Sequence, residues 1–187
     1  DTLVAEANGE TRSDGLGLPR GSAKTTRVVP FNDLAALELA MAAGDIACLV
    51  AEPMLTNVNI VFPDDGFWRR AGDLVRRAGA LLVIDEAHTH SFAYGGLTRA
   101  WTLQPDIMVL GKGIGSGIAF GAYGMTAAVA DLCVRYLEAH VAGSQGLALG
   151  GTTYASALAL SAARAALESC LTVEAYARTA ALGARLG

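Results

Sequence analysis

Short apolar runs of strand length are the feature that most constrains what this chain can fold into. Ala80–Ile84 (ALLVI) is continuous and apolar, and it lies between Gly79 and Asp85. Ile107–Leu110 (IMVL) has the same character. Such runs are typical of parallel strands that are buried on both faces. Because helical patterns separate them, the sequence predicts an α/β fold, with a three-layer, mostly parallel sheet that has helices on both faces.

The other predicted elements follow from hydrophobic periodicity and capping residues. Two more strands are predicted at Ile46–Ala51 and Ala122–Met125, and helices at Leu34–Ala43, Gly66–Ala78, Ala127–Ala139 and Ser156–Ser169. The polar, glycine-rich segment Asp1–Lys24 is expected to be a loop. The sequence has no initiator methionine and stops within the helix-like pattern Thr179–Leu186. We therefore expect residues 1–187 to be one partial domain that is incomplete at both ends.

Composition argues against two classes of partner. The formal charge of −4 leaves no basic face for nucleic acid. Two uncharged stretches, Gly113–Ala130 and Val141–Ala163, are long enough to span a membrane. Both are interrupted by Gly with Ser, Thr or Gln, so we expect neither to be a transmembrane helix.

Cysteine and histidine spacing gives no indication of a metal or a disulfide. Cys48, Cys133 and Cys170 are odd in number and far apart, so we expect reduced, buried thiols in a cytoplasmic protein. His88 and His90 are two residues apart and have no third ligand nearby, which makes a poor metal pair. We expect no metal site.

Three charged residues directly follow apolar runs. Glu52 follows IACLVA, Asp85 follows ALLVI and Lys112 follows IMVLG. Because ligands of open α/β sheets bind at the carboxyl ends of the strands, a carboxylate and a lysine placed there are expected to converge on one crevice. For either residue alone, a helix cap or a solvated cation is the simpler interpretation.

The segment Leu81–His88 (LLVIDEAH) also matches a Walker B strand with a DEAH box. That interpretation requires a phosphate-binding GxxxxGK[ST] loop. Around Lys112 the first glycine position is Asp106 and the last position is Gly113, so the loop fails at both ends. No GxGxxG run is complete here either.

Pyridoxal 5′-phosphate needs four kinds of group from a protein. A lysine binds its aldehyde, a carboxylate pairs with its ring nitrogen, a polar side chain orients its phenolic oxygen, and hydroxyls hold its phosphate. Ala87 is small enough for the chain to pass beneath the ring. The candidates for the four roles, in that order, are Lys112, Asp85, His88, and Thr152 with Thr153.

Four motifs give a specific resemblance over Ala51–Ser161. They are AEPMLTNVNIVFP (Ala51–Pro63), LLVIDEAHT (Leu81–Thr89), PDIMVLGKGIGSGIAFGAYG (Pro105–Gly124) and GGTTYASALAL (Gly150–Leu160). This stretch resembles the class III, fold type I aminotransferases, which include glutamate-1-semialdehyde aminomutase and the omega-transaminases. The resemblance implies a pyridoxal-phosphate enzyme that transfers an amino group between a small-molecule amine or amino acid and a carbonyl acceptor.

The resemblance also implies roles for individual residues. Lys112 is the expected Schiff-base lysine and Asp85 the partner of the pyridine nitrogen. His88 takes the position near the phenolic oxygen, where the family often has Gln. Thr152, which follows the glycine-rich stretch Gly143–Gly151, is expected to reach the phosphate of the neighbouring subunit in a homodimer. Glu52 and Asn57 fall on the family's EP…N element near the active site.

Two departures and three alternatives remain. His88 in place of Gln gives a partial resemblance to α-oxoamine synthases, and Ala155–Ala157 (ASA) replaces the usual Gly-Asn-Pro. The neighbouring alternatives are a 2,1-aminomutase of the glutamate-1-semialdehyde type and, less favoured by the EP…N and GKGIGSG segments, an α-oxoamine synthase. From another class, the chain could be a catalytically inactive, truncated module.

Overall fold

The computed structural model describes residues 3–5, 10–13, 21–57, 59–141, 146–147 and 150–186. The strands are β1 (Leu3–Ala5), β2 (Thr11–Ser13), β3 (Cys48–Ala51), β4 (Leu81–Asp85), β5 (Ile107–Leu110) and β6 (Ala122–Met125). The helices are α1 (Leu34–Ala42), α2 (Phe67–Arg77), α3 (Gly96–Ala100), α4 (Ala127–Val141), α5 (Ala157–Ser169) and α6 (Val173–Leu186). The described residues fall into two compact units, one within Asp1–Cys48 and Phe62–Ala80, the other within Leu49–Val61 and Leu81–Gly187.

The first unit is built on the packing of α1 against α2. Asp33 begins α1 as its N-cap, and its side chain accepts a hydrogen bond of 2.8 Å from the Ala36 amide. The apolar face of α2 buries Phe67 and Trp68, and the ring of Phe31 lies 5.1 Å from that of Phe67. This aromatic cluster forms part of the core of the unit, together with buried aliphatic side chains such as Leu37, Met41 and Val75.

The second unit contains the four-stranded sheet, in the order β3-β4-β5-β6. β4 and β5 are parallel, as the apolar runs predict, and Asp85 is in register with Val109. β5 and β6 are antiparallel, with Leu110 opposite Ala122. The reason is the connection: the segment between them holds only a 3-10 turn, Lys112–Gly115, whereas a parallel neighbour needs a longer crossover, usually a helix.

Helix α5 presents a buried stripe of alanines. Ala159, Ala163 and Ala166 recur every three or four residues and are almost fully buried, while Leu158 and Leu160 are exposed. The helix packs against the 3-10 turn that begins at Lys112. Small side chains on this face allow close approach to that turn.

Two predictions are wrong in detail. Part of Asp1–Lys24 is not loop, because β1 and β2 pair as antiparallel strands, with Val4 opposite Arg12. Much of that segment, and much of 143–151, lies outside the described residues. The cysteines are free, as expected, but Cys48 and Cys170 are exposed rather than buried. Cys48 opens the strand at one end of the sheet order, and Cys170 directly follows α5, so neither reaches a core.

The described helices were also compared with the requirements of a membrane span. None in this part of the chain has both the length and the apolar character for a crossing.

Candidate active site

Two neighbouring parallel strands bring Asp85 and Lys112 to the same edge of the sheet. Asp85 is the last residue of β4, and the Glu86 amide donates a 2.9 Å hydrogen bond to the carbonyl of Val109 in β5. Lys112 follows Val109 by three residues. Because parallel strands end on the same side, the carboxylate and the amine both emerge there, where sheets of this class bind ligands.

Lys112 stands in a backbone conformation that non-glycine residues rarely adopt. Its φ is 51°, in the left-handed region, and its side chain is exposed. Such a conformation costs about 1–3 kcal/mol and persists only where the surroundings hold it. One of these surroundings is His90, whose Nε2 lies 2.8 Å from the carbonyl oxygen of Gly111. Since a carbonyl only accepts, Nε2 of His90 is the donor.

The carboxylate of Asp85 is oriented by its own chain. Its Oδ1 accepts a 2.8 Å hydrogen bond from the Ala87 amide, and the side chain is half-buried. Ala87 lies beside the end of β5, because a Cβ built on Gly111 would be 3.4 Å from the Ala87 methyl. Asp85 and Ala87 therefore flank the strand end that carries Lys112.

A second group of predicted residues is joined by a residue that the sequence reasoning did not single out. Thr56 Oγ1 lies 2.8 Å from Nδ1 of His88 and makes a short hydrogen bond to Oε2 of Glu52. Asn57 Nδ2 lies 3.4 Å from Oε1 of the same carboxylate. The structure thus unites Glu52, Asn57 and His88, and Thr56 is the link. No spacing in the sequence predicts which hydroxyl will bridge a carboxylate and an imidazole.

Glu86 is a buried carboxylate that the sequence reasoning missed. It is fully inaccessible and accepts hydrogen bonds from the Thr89 hydroxyl at 2.6 Å, from the Leu97 amide at 3.1 Å and from the Thr98 amide. Gly96 lies so close that a Cβ there would be 2.6 Å from Oε1. Glu86 therefore fixes the start of α3. The strand alternation that buries Leu82 and Ile84 could have indicated that Glu86 also faces inward.

Tyr176 of α6 is attached to the same region. Its hydroxyl donates a 2.8 Å hydrogen bond to the main-chain carbonyl of His90, and its ring lies 6.1 Å from that of Tyr94. Burial, followed by the negative charge of Glu86, raises the pKa of the Tyr176 phenol above its ordinary value. The hydroxyl stays protonated and remains a donor to His90.

Thr152 lies in an exposed turn that leads to α5. No hydrogen bond from its side chain to another described residue is present, and the described contacts do not join it to Asp85, His88 or Lys112. Ala155 has a φ of 53°, in the left-handed region. The family that the sequence resembles usually has Gly at this position. The left-handed turn that a glycine would adopt is therefore kept here by an alanine.

Comparisons with known proteins identify the family of the chain. The family model described as aminotransferase class-III matches residues 18–187. Glutamate-1-semialdehyde 2,1-aminomutase of Opitutus terrae is 38% identical over 176 residues, which is 92% of this chain and 40% of that protein. The enzyme of the same name from Sorangium cellulosum is 39% identical and covers 92% of this chain and 38% of its own length. The chain thus spans about two fifths of these curated relatives.

Solved structures show the same similarity. A glutamate-1-semialdehyde aminomutase from Pseudomonas aeruginosa PAO1 superposes with a TM-score of 0.85 at 37% identity, over 99% of this chain and 42% of that one. A variant of an aminomutase from this strain was solved in complex with PMP. An omega-transaminase from Sphaerobacter thermophilus gives a TM-score of 0.82 at 25% identity, over 96% of this chain and 41% of its own. These likenesses confirm the predicted fold class, and the chain belongs to the class-III aminotransferase family.

Proposed function

We propose that the protein formed by this chain transfers an amino group between an amine or amino acid and a carbonyl acceptor, with pyridoxal 5′-phosphate as cofactor. The observation that carries this proposal is the placement of Asp85 and Lys112 at the ends of neighbouring parallel strands in a class-III aminotransferase chain. Among the relatives, one structural neighbour is described as a transaminase with PLP bound, at an identity that supports the fold alone.

The residues present fit this cofactor. Lys112 offers an exposed primary amine, and the Asp85 carboxylate is fixed through one oxygen by the Ala87 amide. His88 stands three residues beyond Asp85, with its ring held by Thr56. When bound, pyridoxal phosphate supplies an electron sink for the carbanion at the substrate Cα. The chain offers a lysine, a carboxylate and an imidazole for it.

Each residue then has a role of its own. Asp85 keeps a proton on the ring nitrogen, because a carboxylate beside that nitrogen favours its charged form. Lys112 would hold the cofactor through its amine, and the freed amine would take up the proton of the substrate Cα as a general base and give it back as a general acid. His88 orients the phenolic oxygen, with Glu52 and Asn57 behind it.

Assembly is part of the proposal. Thr152 is exposed in this chain and lies on the turn before α5. We propose that it binds the phosphate of the neighbouring subunit, so that a complete site requires a homodimer. Residues 1–187 would then be part of the cofactor-binding domain. The exposed free thiols of Cys48 and Cys170 suit a reducing compartment and support a cytoplasmic location.

A 2,1-aminomutase is the second candidate. The observation that favours it is that the two curated relatives described above, at 38% and 39% identity, carry the name glutamate-1-semialdehyde 2,1-aminomutase. Both candidates use the same residues in the same roles. They differ in whether the amino group leaves on a second molecule, so product analysis with a single substrate separates them.

The test of the proposal is covalent capture of the cofactor. The protein is incubated with pyridoxal phosphate, reduced with borohydride, digested and mapped by mass spectrometry. We expect the label on the peptide that contains Lys112, together with a red-shifted absorbance band before reduction. Lys24 is the only other lysine, so Lys24→Ala is the matched control and should label normally, whereas Lys112→Ala should not. A free-cofactor spectrum with no label would identify an inactive module.

A further inference from the structure

Glu52, Thr56 and His88 are linked by two hydrogen bonds. The number of hydrogens available on these groups determines which atom donates in each bond. The hydroxyl of Thr56 has one hydrogen, and an ionised carboxylate only accepts, so the short hydrogen bond to Oε2 of Glu52 uses that hydrogen. Thr56 Oγ1 can then only accept from His88. Nδ1 of His88, 2.8 Å away, must carry a hydrogen.

The surroundings of the His88 ring also restrict its position. The loop that carries Thr56 is closed by an antiparallel bridge in which Leu55 and Val61 exchange two main-chain hydrogen bonds of 3.0 and 3.1 Å. The centre of the Phe92 ring lies 6.1 Å from that of the imidazole. Both Thr56 and His88 are half-buried. The contact between them is therefore a fixed feature of the site.

The consequence appears at the other ring nitrogen. A neutral imidazole has one N–H, and the second nitrogen then carries a lone pair. Nε2 of His88 makes no hydrogen bond to another residue within the described part of the chain, so this lone pair is available to a ligand. A ligand group that meets His88 there must donate a hydrogen.

We propose that Thr56 is a positioning residue, which couples Glu52 to His88, fixes the neutral imidazole as the Nδ1–H tautomer and so presents Nε2 as a hydrogen-bond acceptor. The identity of the ligand rests on the proposed function. Under that function, Nε2 of His88 would accept a hydrogen bond from the phenolic hydroxyl of pyridoxal phosphate. A serine at position 56 would serve equally, because it keeps the hydroxyl. A valine would not, although it has the shape of threonine.

The tautomer can be measured without any cofactor. The chain is labelled with 15N-histidine, and long-range 1H–15N spectra distinguish the two neutral forms of the ring at mildly alkaline pH. There are three histidines in the sequence, and the signal that His88→Gln removes identifies the one in question. We expect His88 to be predominantly protonated at Nδ1, the reverse of the form that free histidine prefers in water.

Two variants then test the role of Thr56. Thr56→Val should shift His88 toward the Nε2–H form, and Thr56→Ser should retain the Nδ1–H form. In the cofactor-binding assay, the valine variant should bind pyridoxal phosphate about tenfold more weakly, while the serine variant stays within about twofold of the parent. A purely structural threonine would affect affinity through unfolding, which melting curves of the two variants would reveal.

Three results would overturn the inference: a predominantly Nε2–H form of His88 in the parent protein, no tautomer change in Thr56→Val, or no rescue by serine. If the valine variant does not fold, the tautomer of His88 in the parent protein and in Thr56→Ser still tests the inference. Failure of the proposed function is distinguishable, because Lys112 would then remain unlabelled after borohydride while the cofactor-free spectra are unaffected.

Discussion

The imidazole Nε2 of His90 lies 2.8 Å from the carbonyl oxygen of Gly111, the residue directly before Lys112. His90 is nearly buried, and its own carbonyl accepts from the Tyr176 hydroxyl. Through its main-chain carbonyl and its ring, His90 thus connects α6 to the turn that carries the proposed cofactor lysine. The left-handed conformation of Lys112 gives this contact its importance, because the turn needs support from outside itself.

The first prediction concerns that support. His90→Ala should destabilise the protein by about 0.5–1.5 kcal/mol, because it removes the closer donor to the Gly111 carbonyl and leaves only the Ile114 amide at 3.4 Å. Amide exchange at residues 111–116 should accelerate by about tenfold or more, measured by hydrogen exchange with mass spectrometry. His90→Gln, whose amide nitrogen can take the place of Nε2, is the matched control and should recover most of the protection. Equal acceleration in both variants would contradict the assignment.

Glu86 is expected to be the most sensitive carboxylate of this region. In Glu86→Gln, one acceptor oxygen becomes an amide donor that faces either the amide of Thr98, or the hydroxyl of Thr89 and the amide of Leu97. Leaving a buried donor unsatisfied costs about 1–3 kcal/mol, or more where the lost acceptor is charged. Urea unfolding measures the loss, and the exposed Glu138→Gln is the control, expected within about 0.5 kcal/mol of the parent. A similar small change in Glu86→Gln would refute the role.

Tyr176 should make stability depend on pH in the alkaline range. Its folded-state pKa is raised, first by burial and then by Glu86, so the folded protein holds this proton more tightly than the unfolded chain. Its contribution is therefore complete below the ordinary tyrosine pKa of about 10 and is lost as the pH rises above it. Unfolding curves from pH 8 to 11 should show a steeper alkaline decline in the parent than in Tyr176→Phe. Parallel curves would contradict this.

Asp85→Asn separates the proposed cofactor role from the local structural one. Asn keeps an oxygen that can accept from the Ala87 amide, so the melting temperature should change little. The negative charge beside the ring nitrogen is lost, which should weaken cofactor binding by about tenfold or more and lower turnover by several orders of magnitude. Titration with pyridoxal phosphate and steady-state assays measure both. Near-normal turnover would identify Asp85 as a local cap only.

The proposed role of Thr152 predicts complementation between subunits. Lys112→Ala and Thr152→Ala proteins should each be inactive, but mixed dimers contain one site in which both residues are intact. Partial return of activity after subunit exchange, measured with the amino-transfer assay, supports a shared site. If heterodimers are shown by native mass spectrometry and activity does not return, Thr152 belongs to its own subunit's site or to none.

The sequence by itself determined the fold class and the strand ends. Continuous apolar runs such as those at 81–84 and 107–110 are typical of strands that are buried on both faces by helices. The residues that directly follow such runs lie at the carboxyl ends of the strands. Asp85 and Lys112 could be predicted for this reason, since their positions depend on local pattern and on the general rule for parallel sheets. The motifs around them, read together, also indicated the family.

Only the tertiary structure decided which side chains meet. Thr56 and His88 are 32 residues apart, and Tyr176 and His90 are 86 apart, so no local periodicity connects them. The hydrogen bonds that Glu86 accepts from the start of α3 depend on the packing of α3 against the turn after β4. The pairing of β1 with β2 rests on main-chain hydrogen bonds, which a polar sequence pattern does not predict. The positions of the strands follow from the local hydrophobic pattern. The hydrogen-bond partners depend on which distant segments of the chain come together, and only the folded structure determines that.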